Sequence, residues 1–205
     1  MNRRKWLGAI VGAAVTLTGA GNVRAQDATP ADKEKALAYL ETSKKGVLAA
    51  TKGLSEAQWN FKPAPDKWSV AECMEHIAAA EDFIRGLVTD KVMAAPAAPD
   101  RDIAKIDAGI MANVPDRTNK IQAPEPIRPT NRYSSPEGSI KHFVESRATT
   151  EEFVKNTADL RGHAIDGPAG GKWDAYEWVL LIAAHSERHT KQIEEAKANP
   201  NFPVK

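Results

Sequence analysis

The chain of 205 residues suits one globular domain, and its 27% charged and 42% hydrophobic content describes a folded protein, not a disordered one. A single Cys excludes an intramolecular disulfide framework and any Cys-rich zinc module. Lys and Arg number 28 against 27 Asp and Glu, but four basic groups (Arg3, Arg4, Lys5, Arg24) fall in an acid-free first 25 residues, leaving a mildly acidic body with no electrostatic reason to bind nucleic acid or anionic lipid.

The first element is an address. Arg3-Arg4-Lys5-Trp6 is followed by an apolar, small-residue run from Leu7 to Ala20, then by Val23 and Ala25 at the small positions a signal peptidase reads. Residues 1–25 therefore read as a secretory signal cleaved after Ala25. The run is shorter than the ~20 residues a transmembrane helix needs, although an uncleaved anchor is the alternative. The Arg pair before Trp6-Leu7 resembles a twin-arginine export signal with Trp in the usual Phe place. The expectation is an exported, periplasmic protein, with residues 26–205 forming one domain that leaves the membrane once the signal is removed.

Four amphipathic helices follow, and no stretch sustains period-two alternation. The first runs from about Asp32 to Thr51, with Leu37, Leu40, Val47 and Leu48 on one stripe. The second starts at a Ser69/Glu72 capping box and runs to about Met93 through Val70, Cys73, Met74, Ile77, Ala80, Ile84 and Leu87. Residues 95–133 carry six prolines and one short helical pattern, Ile103, Ile106 and Ile110. So long and Pro-rich a segment predicts a crossover traversing the bundle. The third helix begins at Ser135-Pro136 and continues through Ile140, Phe143, Val144 and Val154. The fourth opens on an Asp174/Glu177 capping box and ends before Asn199-Pro200. These features predict an all-α fold: a four-helix bundle with a long crossover between helices two and three.

His185 and His189 lie four apart on the fourth helix, about 40° apart round the axis and about 6 Å along it. They share the face of Trp178, Leu181 and Ile182, and such a pair is a clamp for a divalent transition metal. Standing alone, the pair reads more readily as hydrogen-bonded core histidines. His76 borders the apolar stripe of the second helix among Ala78, Ala79 and Ala80, so it can supply a third imidazole. Three such ligands leave an open coordination position, as catalytic zinc sites do. The metallopeptidase pattern does not apply, because Glu187 is third in His185-Ser186-Glu187-Arg188-His189 and faces about 200° away. Gln192 shares the His face, as a polar contact to the site or as a surface amide.

At this point a family resemblance emerges. Trp59-Asn60-Phe61-Lys62-Pro63 and Lys67-Trp68-Ser69-Val70-Ala71-Glu72 before His76, together with Lys172-Trp173-Asp174 leading to His185, His189 and Gln192-Ile193, resemble the DinB-like superfamily over about residues 32–197. The resemblance implies a bundle with a crossover between helices two and three. It also implies a divalent metal, zinc or nickel, held by His76, His185 and His189. Characterised relatives include transferases and isomerases using a low-molecular-weight thiol, and bundles of this type pair as homodimers. An export signal sits poorly with cytosolic thiol chemistry.

The remaining chemistry-bearing residues read as structural. Cys73, three residues from His76, is a fourth ligand or nucleophile in one reading and a buried small hydrophobe in the favoured one. His142 and His163 are expected to be solvated. Trp59, Trp68 and Trp173 are expected to staple loops onto the bundle ends, with ligand stacking the minor alternative. Two functions compete: an exported metal-dependent hydrolase or transferase for a small molecule, and a non-catalytic bundle that binds a metal or small ligand. A third reading, a structural bundle with polar core histidines, needs no metal.

Overall fold

The computed structural model describes residues 27–204; the signal expected over residues 1–25 lies outside them. The bundle consists of α1 (Pro30–Thr51), α3 (Val70–Leu87), α5 (Pro136–Asn156) and α6 (Ala175–Lys197), with a short α2 (Glu56–Asn60) after α1. Each start is chemically marked. Thr29, Ser69 and Asp174 close capping boxes with Asp32, Glu72 and Glu177, and Ser135 accepts the Gly138 N–H ahead of Pro136 at the first helical position.

α1 and α3 each pack on both α5 and α6, so helices joined in sequence by α2 stand diagonally across the bundle. α3 and α6 are antiparallel: Val70 and Met74 meet Ile193 and Ala196 in one apolar cluster, and Ile84 and Val88 meet Ala175 and Val179 in another. Between these clusters lies a buried polar layer with one member from each helix: Ser43, Glu81, Arg147 and Ser186.

The crossover from α3 to α5 is present and structured. It carries α4 (Ile103–Asn113), which packs on α6 as the Ile103/Ile106/Ile110 pattern predicts, and a 3-10 turn at Glu125–Ile127. Two expectations need correcting. The second helix is regular only to Leu87 and continues as a π-turn over Val88–Val92. A two-stranded hairpin, β1 (Ala164–Asp166) and β2 (Lys172–Asp174), precedes α6 where no strand was expected. Strands of three residues are too short to register as alternation. The turn between them uses Gly170 and Gly171 at φ +84° and +74°, a region L side chains avoid.

Candidate metal centre

The three expected histidines meet. Nε2 of His76 lies 3.0 Å from Nε2 of His185 and 3.1 Å from Nε2 of His189. His76 and His189 are buried, while His185 is partly exposed to a cleft of about 1530 Å³ that all three line. The other nitrogens fix the tautomers of two rings. Nδ1–H of His76 donates to the Ile127 carbonyl at 2.7 Å, and Nδ1–H of His189 donates to Gln192 Oε1 at 2.9 Å. Each Nε2 therefore presents a lone pair, and two lone pairs face each other across 3.1 Å with no proton between them.

Burial holds all three imidazoles neutral. It lowers the His76 pKa to about 4 against the opposing Ile127 hydrogen bond, with Arg132 lowering it further. His185 and His189 lie well below the ordinary value, through burial first and then through their neighbouring histidines. Neutral imidazoles with converging lone pairs could hold a metal ion. Zinc–nitrogen bonds of about 2.0–2.1 Å in tetrahedral array put ligand nitrogens about 3.3 Å apart, so the spacing fits.

The crossover completes the surroundings. Glu75 accepts the N–H groups of Thr130, Asn131 and Arg132 at 2.7–3.2 Å. Burial opposes its charge, but those three donors together hold its carboxyl below the ordinary range. This clasp fixes the chain just beyond the Ile127 carbonyl. Further round, Arg117 donates to Gln192 Oε1 at 3.1 Å and is gripped by both oxygens of Glu195 at 2.6 and 2.8 Å. Arg188, adjacent to His189, donates to the Val114, Asp116 and Asn119 carbonyls. None of these partners was legible beforehand, because each lies 51 to 78 residues away across the crossover.

Other readings hold or need adjustment. Gln192 contacts the site and is no idle surface amide. Glu187 turns away, accepting from Tyr39 and Lys191 at 2.8 Å each. Cys73 is buried in the lower apolar cluster, outside the histidine group, and burial raises its thiol pKa to about 12. The two other histidines are not simply solvated. His142 pairs with Asp82 and stacks on Tyr133 with ring centres 4.5 Å apart, and His163 donates from Nδ1 to the Ala95 carbonyl. Trp59 is buried beneath the bundle end as expected, but Trp68 and Trp173 also wall the cleft, and Trp68 lies 4.7 Å from the His76 ring centre.

A crossover bundle with three inward histidines defines a class of α-helical protein with a candidate metal centre at the α3–α6 seam. The sequence model of the DinB superfamily matches residues 39–193, and the chain belongs to that superfamily. It is 26% identical over 151 residues to the uncharacterized protein YuaE of Bacillus subtilis (strain 168), covering 71% of this chain and 87% of that one. In three dimensions it is similar to YfiT from Bacillus subtilis, described as a probable metal-dependent hydrolase with an unusual four-helix bundle topology. The TM-score is 0.54 at 14% identity, over 85% of this chain and 91% of that one. Among the described residues no helix is long and apolar enough to cross a membrane.

Proposed function

We propose that His76, His185 and His189 hold a divalent transition metal, zinc or nickel, and that the protein is an exported metal-dependent hydrolase or transferase acting on a small molecule. The observation that carries this reading is the convergence of three Nε2 atoms, with those of His76 and His189 facing each other unprotonated across 3.1 Å, an arrangement that calls for a cation. A bound divalent ion polarises a substrate oxygen or sulfur and acidifies water. The chain's part is orientation: Ile127 and Gln192 fix two ring tautomers, and the Arg117–Glu195 pair fixes Gln192. Export is inferred from the basic, then apolar, first 25 residues.

Metal analysis of the protein purified without added metal tests the assignment. About one zinc or nickel per chain, lost in His185→Ala, is expected; equal loading of parent and variant removes the centre. Turnover of esters, amides or thiol acceptors that disappears in His76→Ala then marks an enzyme.

A specific observation favours the second reading, a non-catalytic metal- or ligand-binding bundle. Every carboxylate lining the cleft is already engaged: Glu72 by the helix cap and Lys62, Glu195 by Arg117, Asp66 by Lys67, and Asp102 by the Lys105 N–H. No carboxylate there is left unpaired to act as a general base. Stoichiometric metal without turnover on that panel selects this reading.

A further inference from the structure

We infer that the cleft is built for an amphiphile, with a polar, metal-binding head at the three histidines and an unbranched apolar chain running from them between α3, α4 and α6. This inference rests on the metal reading and adds the substrate class.

Size is the first argument. At about 1530 Å³ the cleft exceeds the roughly 300–1000 Å³ that usually encloses a small ligand, so a compact polar molecule would leave most of it unfilled. Polarity is the second. On one side of the histidines the lining is charged and amide-bearing, with Lys67, Glu72, Arg117, Lys120 and Gln192. On the other, Ile84 and Leu87 of α3, Ile106 and Ile110 of α4, and Trp178 and Leu181 of α6 form an apolar wall, with Asp102, Lys105 and Asn113 the polar members that α4 and its cap add to the lining.

The antiparallel pairing of α3 and α6 gives this apolar half its length. Leu87 stands eleven residues beyond His76, and Trp178 eleven residues before His189. At 1.5 Å per residue each interval is about 16 Å, so two helices wall the same lane over the same distance. Phe83 and Ile121, 43% and 77% exposed, are two of the four large exposed apolar side chains among the described residues, and both line this cleft. Apolar surface collected along one groove, and not scattered, marks a surface that meets an apolar partner. A head held by nitrogen ligands at the groove's polar boundary selects an amphiphile.

Straight-chain hydroxamates of two to ten carbons separate this inference from the metal assignment, because acetohydroxamate reports on the metal alone. Binding to the metal-loaded full-length protein is followed by calorimetry. The expected result is a Kd that tightens about three- to fourfold per methylene from four carbons upward, with an increasingly negative heat capacity of binding. Leu181→Gln and Ile106→Gln, at partly buried positions, should flatten the series and leave acetohydroxamate affinity unchanged. If acetohydroxamate binds and affinity is flat with chain length in the parent, the amphiphile inference is overturned and the metal reading stands. If no member binds better to the loaded than to the metal-free protein, the metal reading fails first. If the long members bind His185→Ala as tightly as the parent, the head is not at the histidines and the inference fails on placement.

Discussion

Arg147 of α5 lays two guanidinium nitrogens on the two carboxylate oxygens of Glu81 of α3, each at 2.8 Å, and neither side chain is more than 1% exposed. The remaining donors reach Ser43 and the Leu40 carbonyl on α1 and Ser186 on α6, while Thr150 also donates to Glu81. One ion pair thus ties all four helices at the level dividing the two apolar clusters. Ser186 adjoins His185, and Glu81 lies five residues beyond His76, so the pair also sets the offset between the two helices that must bring their imidazoles together.

Breaking that pair from one side should be severe. Glu81→Ala leaves a buried cation without its partner and is expected to cost about 3–5 kcal/mol in urea unfolding, against a typical total of about 5–15 kcal/mol. The double variant Glu81→Leu plus Arg147→Met should recover most of the loss. A double variant as unstable as the single would show that the charge is not what matters.

Gln192 should control affinity through His189. Gln192→Leu removes the acceptor that orients Nδ1 and also releases Arg117. Competition against a chromophoric chelator should give a 10- to 100-fold weaker metal complex. Unchanged affinity would mean that the ring is held by packing alone.

Chelation should loosen the seam between α3 and α6. An ion present at 100 times its Kd contributes about 2.7 kcal/mol, so a chelator should lower Tm by about 5–10 °C for a domain of this size. The stripped protein should then show acid sensitivity of definite sign. Its histidines have folded pKa values depressed below the ordinary 6.5, so their contribution is present above that pH and lost as pH falls towards the His76 value of about 4.

Glu177 should act with the opposite sign. It is wholly buried at the start of α6, and burial, then the adjacent Asp174 charge, raises its pKa to about 7. The folded state holds that proton more tightly than the unfolded chain. Stability from this group is therefore complete below about pH 4.5 and falls as pH rises through 7, by up to about 1.4 kcal/mol per pH unit. Relative to the parent, Glu177→Gln should gain stability across that window. The difference between the two proteins cancels the histidine contribution, and a difference that does not vary with pH would refute the assignment.

Cys73 should be inert. Buried at 1% exposure with its thiol pKa raised to about 12, it should resist a thiol reagent such as dithionitrobenzoate in the folded protein and react fully in denaturant. Rapid native labelling would place it nearer to solvent than the lower core allows.

Much of this was written into local sequence. The Ser69/Glu72 and Asp174/Glu177 boxes act over three residues, the apolar stripes over three and four, and the His185/His189 pair over one turn, so each could be read without knowing what lay opposite. The six prolines announced the crossover. What could not be read was its destination. His76 meets His189 across 113 residues and Ile127 across 51, and Arg117 reaches Gln192 across 75. The diagonal placement of α1 and α3, and the charged pair buried between apolar clusters, are likewise invisible to periodicity: Glu81 and Arg147 look like ordinary helical charges until four helices close around them. Sequence alone determined where the four long helices lie, how three of them start and which nitrogen donors they carry. Tertiary structure alone decided which donors face one another, because that depends on the path of a long connection and on helix pairings whose free energy is shared among residues far apart in the chain.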